Sequence, residues 1–133
     1  MKKQAAGIIL YNNKGEFLLQ LRDNNPNIPN PNKWSIFGGM MEEGETPEEA
    51  IKRELKEEIS YDLKEFKFWR ILDWEWFTAH TFEGKINFPI SKIRKQLTEG
   101  QDAKYFTKEE ILKTNLAFKY NEVFKEYFKE KNL

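Results

Sequence analysis

Residues 39–61 read GMMEEGETPEEAIKRELKEEISY and contain a well-marked helix signal. Thr46 is a favourable N-cap, Pro47 suits the first helical position, and Glu49 completes a capping box with Thr46. The residues that follow favour helix formation as far as about Ile59. The spacing therefore predicts a helix that begins at Pro47 and ends near Ile59. Its predicted apolar face consists of Ala50, Ile51, Leu55 and Ile59.

Three carboxylates lie off that apolar face, on Glu54, Glu57 and Glu58. At about 100° per residue, the three side chains fall within an arc of roughly 100°. Like charges crowded in this way repel each other and cost helix stability. A hard divalent cation bound between them would turn that repulsion into coordination, and Mg²⁺ prefers such oxygen ligands. The alternative for a glutamate-rich helix is a solvated charged face.

The whole stretch resembles the Nudix box, the signature of the Nudix hydrolase family. That signature runs Gly, five residues, Glu, seven residues, then Arg-Glu-aliphatic-x-Glu-Glu-x-Gly-aliphatic. Gly39, Glu45 and residues 53–61 match its first glycine and every charged position. Ser60 replaces the family's glycine, and Tyr61 stands where an aliphatic residue is usual. The glycine would end the helix in a left-handed conformation, which costs Ser60 about 1 kcal/mol.

Length and composition suit one domain, residues 1–133, with a buried core. Lys and Arg together number 22, as do Asp and Glu, so the formal net charge is zero. No basic field therefore draws the chain to a nucleic-acid polymer or a membrane surface. There is no cysteine, which excludes disulfides and thiolate chemistry. With no signal-peptide core and no bilayer-spanning segment in view, we expect a cytoplasmic protein.

Before the box, the chain predicts a hairpin followed by a loop. Residues 5–11 and 16–22 read as strands that flank a turn at residues 12–15. Residues 23–33, DNNPNIPNPNK, cannot form a regular element, because they contain three prolines and five asparagines. This loop is either a plain surface loop or a cover for a substrate. A short strand at residues 34–37 leads into the glycines.

After the box, residues 66–82 form the longest strand candidate, and both of its faces are largely apolar. This pattern predicts a central strand that is covered on both sides. Gly84 predicts a turn, residues 85–90 a returning strand, and residues 91–101 a polar connection without a regular element. A last short strand is expected at residues 102–106, and a capped helix at residues 107–113. A final helix from about residue 118 has a predicted core face of Tyr120, Val123, Phe124, Tyr127 and Phe128.

This order of elements predicts a mixed sheet with helices on both sides, in the α/β (α+β) class. The resemblance implies the same architecture, a Nudix-type α/β/α sandwich. It also implies a monomer or a homodimer, since family members are often one or the other.

The resemblance implies an enzyme that cleaves nucleoside diphosphates linked to a variable group X, with Mg²⁺ or Mn²⁺ as cofactor. Such a metal lowers the pKa of bound water and polarises a phosphoryl oxygen. By position, the implied metal ligands are Glu54, Glu57 and Glu58, with Glu54 as ligand or general base. The carbonyl of Gly39 is a further implied ligand. Arg53 and Glu45 would form an ion pair that orients the start of the helix.

Outside the box, the resemblance is to the MutT-type nucleotide-sanitising enzymes. Residues 99–101, Glu-Gly-Gln, are similar to a MutT segment whose glutamate adds a metal ligand or base, which implies that role for Glu99. The alternative for Glu99 is a solvated loop residue. Asn121 occupies a position similar to that of a MutT asparagine that reads an oxidised guanine.

Other candidate substrate residues come from the strand pattern. Arg22 falls at a strand end, where an arginine would face the substrate. Trp74 and Trp76 share one face of the predicted long strand and could stack on a base, with core packing as the alternative. His80 is the only histidine and has no predicted partner, so histidine general-base chemistry is not expected.

Three hypotheses for the function follow. The first is a Mg²⁺-dependent hydrolase that cleaves a nucleoside triphosphate, oxidised or not, to a monophosphate and pyrophosphate. The second is the same machinery acting on a nucleotide sugar, ADP-ribose or another nucleoside diphosphate derivative. The related ADP-sugar and dinucleoside-polyphosphate subfamilies often carry a Pro or Tyr shortly after the box, whereas this chain has no Pro between Pro47 and Pro89 and no Tyr between Tyr61 and Tyr105. The third is a nucleotide-binding module without catalysis.

Overall fold

The computed structural model describes residues 2–98 and 100–133. Its strands are β1 (Lys3–Tyr11), β2 (Phe17–Leu21), β3 (Trp34–Ser35), β4 (Phe37–Met40), β5 (Phe66–Asp73), β6 (Phe77–Lys85) and β7 (Asp102–Phe106). Its helices are α1 (Pro47–Ile59), α2 (Ile90–Gln96), α3 (Lys108–Lys113) and α4 (Tyr120–Glu130), with a 3₁₀ turn at Ala117–Lys119 before α4.

Strand β1 lies at the centre of the sheet. It pairs antiparallel with β2 and β4 and parallel with β6. Strand β2 also pairs with β3 and β7, and β6 forms a hairpin with β5. Within the described ranges the seven strands form one sheet, with the main order β3-β2-β1-β6-β5. The predicted mixed sheet is confirmed.

Helices cover both faces of this sheet, as predicted for an α/β/α sandwich. Successive residues of β1 face opposite sides, as the pleat of a strand requires. Ile8 therefore packs with α1 and α2, and Ile9 packs with α3 and α4. The buried residues that the helices add to the first face are Ala50, Ile51, Leu55, Ile59 and Ile93. Those that they add to the second are Ile111, Tyr120, Phe124, Tyr127 and Phe128.

Helix α1 begins and ends where the sequence predicts. Thr46 Oγ1 accepts from the backbone N–H of Glu49 at 3.2 Å, and Glu49 Oε1 accepts from the N–H of Thr46 at 2.9 Å. The helix ends at a left-handed Ser60 with φ 54° and ψ 36°. The N–H of Ser60 donates to Lys56 O at 3.0 Å, and that of Tyr61 donates to Leu55 O at 3.2 Å. Serine thus adopts the conformation for which the family uses glycine.

The C-terminal elements also follow their patterns. Thr107 and Glu110 form the predicted capping box of α3. The predicted apolar face of α4 is buried except for Val123, which is half-buried. Phe17 contacts three rings of this face in tilted and edge-on arrangements, those of Phe124, Tyr127 and Phe128.

The single long strand predicted at residues 66–82 is wrong. The chain turns between Asp73 and Phe77, so β5 and β6 form an antiparallel hairpin. Strand β6 is the buried central strand, whereas β5 is an edge strand whose Phe68 and Ile71 are more than half exposed. At the turn, the N–H of Trp74 donates to Phe77 O at 2.9 Å. Its ring stacks on Phe77 at 5.1 Å, and its Nε1 donates to Phe118 O at 3.2 Å.

The strand predicted at residues 85–90 is also wrong, and Gly84 lies inside β6 rather than in a turn. Pairing stops soon after Ile86, whose N–H donates to Tyr11 O at 2.9 Å. Pro89 has no N–H to offer a ladder, and its carbonyl instead accepts from Lys92 and Ile93 at the start of α2. Helix α2, which the sequence analysis missed, covers part of the first face through the buried Ile93.

Candidate active site

Arg53 links the middle of α1 to the segment that precedes it. Its Nε donates to Glu45 Oε2 at 2.6 Å and its Nη2 to Glu45 Oε1 at 3.0 Å, which is a bidentate pair. Nη2 also donates to the carbonyl of Met40, the last residue of β4, at 3.1 Å. The predicted ion pair is therefore present, and it fixes β4 and the loop against the helix.

Arg53 also contacts two of the predicted metal ligands. Its Nη1 donates to Glu54 Oε1 at 3.0 Å and to Glu57 Oε2 at 3.1 Å. Glu54 and Glu58 are buried, whereas 57% of the Glu57 side chain is exposed. The three carboxylates thus range from buried to exposed. The guanidinium of Arg53 lies between those of Glu54 and Glu57.

This arrangement shifts the pKa values of both partners. The hydrogen bond from Arg53 is the main cause of a lowered pKa of Glu45. The hydrogen bond that Arg53 donates to Glu45 is in turn the main cause of a raised pKa of Arg53. Both groups are therefore held in their charged forms.

Acid is expected to weaken the fold in part through this pair. Because the pKa of Glu45 is lowered, the pair contributes its full stability above the ordinary glutamate value of 4.5 and loses it as pH falls through the lowered pKa. Urea unfolding at about pH 7 and about pH 3 measures the loss. The variant Arg53→Met should lose less stability between these pH values than the wild type. Equal losses would contradict a stabilising role for the pair.

The Glu54 carboxylate lies directly against Gly39, in the space that a side chain at residue 39 would fill. A Cβ added to Gly39 would lie 2.5 Å from Glu54 Oε1 and 2.6 Å from its Cδ, which is far closer than van der Waals contact. The carboxylate therefore rests directly on the backbone of β4. The glycine of the box leaves the space that this contact needs.

The variant Gly39→Ala is expected to lower kcat by about 10- to 100-fold with little change in the melting temperature. The added methyl group meets the end of a flexible side chain, so Glu54 moves while the backbone stays. Steady-state kinetics and thermal unfolding of the same preparation measure the two effects. A kcat equal to that of the wild type would show that the position of Glu54 does not matter to turnover.

The carboxylates suit a divalent cation by their chemistry. Glu54, Glu57 and Glu58 offer only oxygen donors, which hard cations such as Mg²⁺ prefer. Gly39 leaves room for one of them, that of Glu54, against the backbone of β4. In residues 2–98 and 100–133, however, no three His, Cys, Asp or Glu side chains converge on a point that could hold a metal ion. The charge between Glu54 and Glu57 is balanced instead by Arg53.

Glu99, the further predicted ligand or base, lies outside the described residues. Its preceding neighbour is anchored to α1, since the N–H of Thr98 donates to Glu58 O at 3.0 Å and its Oγ1 to Glu57 O at 2.8 Å. On the other side, the N–H of Gln101 donates to Leu21 O at 2.8 Å.

A cavity of about 460 Å³ opens beside Gly39. Apolar side chains make up most of its lining, with a few polar groups among them, as is usual for ligand sites. Arg22 lines it, as predicted for a substrate residue. The Nε of Arg22 donates to Pro29 O at 3.0 Å, and its guanidinium lies 5.0 Å from the centre of the Phe118 ring.

The two tryptophans do not share a strand face, because both lie in the turn between β5 and β6. Trp76 is 61% exposed and lines the mouth of the cavity beside Lys3. Trp74 packs among aromatic side chains, with Tyr120 5.4 Å from its ring centre. The core-packing alternative therefore applies to Trp74.

The side-chain amide of Asn121, the predicted base-reading residue, is hydrogen-bonded within the protein. Its Oδ1 accepts from the N–H of Leu116 at 2.9 Å. Its Nδ2 donates to Ile111 O at 3.2 Å and also to Thr114 O. The amide thus ties α3 to the start of α4, and its side chain lies in a different surface depression. His80 pairs with Gln4 at 2.8 Å.

Several cavity residues were missed from the sequence, namely Lys3, Gln20, Ser35, Phe118 and Tyr120. Gln20 had a usable signal, because it is a polar residue in an otherwise apolar strand and shares a strand face with Arg22. It is buried, and its Nε2 donates to Ile36 O at 3.3 Å. Phe118 and Tyr120 carried no such signal, since they resemble core aromatics.

Comparison with known proteins identifies the relatives of this chain. It is 36% identical over 81 residues to the 8-oxo-dGTP diphosphatase of Escherichia coli (strain K12), covering 60% of this chain and 61% of that protein. It is 39% identical over 103 residues to the RNA pyrophosphohydrolase of Sulfurovum sp. (strain NBC37-1), covering 72% of this chain and 57% of that protein. The chain thus spans about three fifths of the length of these relatives.

Solved structures show the same fold at low sequence identity. A structure from a study of MutT from Aliivibrio salmonicida and Vibrio cholerae has a TM-score of 0.78 at 19% identity and covers 98% of this chain and 99% of that chain. The NUDIX domain of Shewanella oneidensis NrtR, complexed with ADP ribose, has a TM-score of 0.76 at 18% identity and covers 100% of this chain and 90% of that chain.

The sequence model of the NUDIX domain matches residues 1–127, which is nearly the whole chain. Together with the box of residues 39–61 and the α/β/α fold, this match places the protein in a known family. The chain belongs to the NUDIX domain family.

Proposed function

We propose that this protein is a divalent-metal-dependent pyrophosphohydrolase that cleaves a nucleoside triphosphate to a nucleoside monophosphate and pyrophosphate. The observation that carries the proposal is the position of Gly39. It lies against the Glu54 carboxylate and also lines the cavity, so the carboxylate helix and a ligand-sized space meet at one residue. The names of two relatives, a diphosphatase and a pyrophosphohydrolase, support this class of reaction.

Nudix hydrolases generally use divalent metal ions. We propose Mg²⁺ here, with Mn²⁺ as the alternative, held by Glu54, Glu57, Glu58, the carbonyl of Gly39 and Glu99. When bound, such an ion supplies an activated water at neutral pH and charge neutralisation on the phosphates. The donor chemistry supports this set.

Arg53 and Thr98 position the segments that carry the proposed metal ligands. Arg53 holds Glu45 and the carbonyl of Met40, which fixes the end of β4 next to α1. Thr98 caps the last carbonyls of α1 and so fixes the chain just before Glu99. The proton of the attacking water passes to a carboxylate, and Glu54, Glu57 and Glu99 are the three candidates for this base.

We propose that the cavity receives the base of the nucleotide. Its volume of about 460 Å³ falls within the usual range for small-molecule sites. Its apolar walls favour a flat aromatic ring, and Arg22 can donate its remaining N–H groups to acceptors on a base edge. Whether that base is oxidised stays a prediction.

The second candidate is a nucleoside diphosphate derivative such as ADP-ribose. The observation that favours it is the fold likeness to a domain solved with ADP ribose. The absence of Pro and Tyr at the expected positions after the box weighs against it. A binding module without catalysis is the third candidate, and the presence of every box carboxylate weighs against that one.

A substrate panel tests the proposal. Canonical and oxidised nucleoside triphosphates, ADP-ribose, nucleotide sugars and dinucleoside polyphosphates are incubated with the protein and Mg²⁺, and the products are resolved by chromatography. We expect pyrophosphate and a monophosphate from at least one triphosphate. Sugar phosphate as the main product would establish the second candidate instead. Binding of nucleotide without turnover would establish the third.

We further propose that residues 1–133 act as one domain on a small-molecule nucleotide rather than on a nucleic-acid polymer. Among the described helices, none is both long and apolar enough to cross a bilayer. A cytoplasmic location, and a monomeric or homodimeric state, stay predictions.

A further inference from the structure

The turn before α4 contains a strained pair of residues. Phe118 has φ 53° and ψ 27°, and Lys119 has φ 57° and ψ 31°. A left-handed conformation costs a residue with a side chain about 1–2 kcal/mol, and here two such residues are consecutive. Conformations of this kind persist only where the surroundings hold them, and they cluster at ligand sites.

Two other segments of the chain hold the Phe118 backbone. The Oδ1 of Asn30, in the loop of residues 23–33, accepts from the N–H of Phe118 at 3.2 Å. The Nε1 of Trp74, in the β5–β6 turn, donates to Phe118 O at 3.2 Å. Both polar groups of this residue are therefore bonded to side chains from distant parts of the sequence.

The strained conformation places an aromatic ring in the cavity wall. The Phe118 ring lines the cavity and meets the Phe77 ring edge-on at 5.8 Å. The guanidinium of Arg22 lies over it at 5.0 Å. Because Pro29 O accepts from Arg22 and the adjacent Asn30 accepts from Phe118, one short piece of loop holds both members of this pair.

We infer that Asn30 is a positioning residue that sets the affinity of the cavity for the nucleotide base, by holding Phe118 and with it Arg22. This inference rests on the proposed function. Phe118 and Arg22 contact the base, and Asn30 acts only through them. Within the loop of residues 23–33, Pro29 and Asn30 thus belong to the binding site. Its effect is on binding, because the Asn30 hydrogen bond goes to the turn before α4 and not to the carboxylate helix.

The test compares Asn30→Ala with two controls. Asn30→Ala removes the acceptor, and the loss of one hydrogen bond predicts a rise in KM of about tenfold with kcat within about twofold of the wild type. Asn30→Asp keeps an oxygen acceptor at the same place and should restore most of the affinity. Asn27→Ala changes an exposed asparagine of the same loop, outside the cavity lining, and should leave KM unchanged.

Calorimetric titration with dGMP, dAMP, dCMP and dTMP gives a readout that does not need turnover. The tightest of these should bind Asn30→Ala about tenfold more weakly than it binds the wild type. Thermal unfolding of each variant confirms that the fold is retained. The companion variant Phe118→Leu keeps an apolar side chain but no aromatic ring, and it should lose affinity to a similar degree.

The outcomes separate this inference from the proposed function. If the wild type hydrolyses a triphosphate and Asn30→Ala has an unchanged KM, the inference fails and the function stands. An equal KM effect of Asn27→Ala, or a fall in kcat alone for Asn30→Ala, would also overturn it. If the wild type binds a monophosphate but hydrolyses nothing, the proposed function fails while the titration still decides the role of Asn30. A wild type that neither binds nor hydrolyses a nucleotide overturns both.

Discussion

The variant Glu57→Gln is expected to lose at least about 100-fold in turnover while its fold stays intact. Glutamine has the shape of glutamate without its charge, so it removes a proposed metal ligand or base and little else. The cost to the fold should be small because 57% of the side chain is exposed, and the 3.1 Å contact with Arg53 is a partly solvated ion pair. The loss should appear in kcat rather than in nucleotide affinity.

Three measurements on purified Glu57→Gln check this expectation. Steady-state kinetics with saturating Mg²⁺ give kcat, calorimetric titration with MgCl₂ alone gives metal affinity, and thermal unfolding reports on the fold. Glu48→Gln is a matched control, since it removes an exposed carboxylate from the first turn of the same helix, away from the cluster. Activity near the wild-type level in Glu57→Gln would refute the assignment of Glu57 to the site.

The variant Gly38→Ala is expected to destabilise the fold by about 3 kcal/mol or more. A Cβ added to Gly38 would lie 2.3 Å from Ala6 O and 2.8 Å from Gly7 Cα. Both atoms belong to the backbone of β1, which is fixed by pairing on each side, so neither can move without disturbing the sheet. The φ of Gly38, +154°, adds to the cost because residues with side chains rarely adopt it.

Urea unfolding of Gly38→Ala and of Gly15→Ala separates the effect of the backbone clash from that of the positive φ. Gly15 also has a positive φ, +74°, but an added Cβ there meets no atom within 4 Å. Its variant should lose only about 1 kcal/mol, the usual cost of such a conformation. A loss in Gly38→Ala no larger than that in Gly15→Ala would show that β1 and β4 separate easily.

Local patterns explain why the carboxylate helix was predictable. Its start depends on a capping box within four residues, and its end depends on one residue that must be left-handed. The same holds for α3, whose capping box involves Thr107 and Glu110. A helix whose ends are determined by neighbouring residues can therefore be recognised from the sequence.

The β5–β6 hairpin was not predictable from such marks. Its turn reads Trp74-Glu75-Trp76 and contains no Gly, Pro, Asn or Asp. The turn is stabilised by packing instead, since the ring of Trp74 stacks on Phe77 and its Nε1 donates to the carbonyl of Phe118. Helix α2 was missed for a related reason, because it is short and no side chain caps its start.

The candidate site likewise contains residues that could be predicted from local sequence and residues that could not. The ion pair of Arg53 with Glu45 was predictable because the fixed spacing of the box places the two residues within reach of each other. The cavity wall was not, since Asn30, Trp74 and Phe118 meet only after three distant segments have folded. Asn121 was singled out from a short resemblance, and the bonds of its amide to Leu116 and Ile111 could not be read from the sequence.

The pairing of β1 has a consequence for how the chain folds during synthesis. Strand β1 ends at Tyr11, and its parallel partner β6 does not begin until Phe77, so more than half of the chain must leave the ribosome before the two can join. Contacts so distant in sequence slow folding, because a long loop must close before they form. Until then the apolar segment Ile8-Ile9-Leu10 has no partner on that side, and exposed apolar segments of this kind favour aggregation of the incomplete chain.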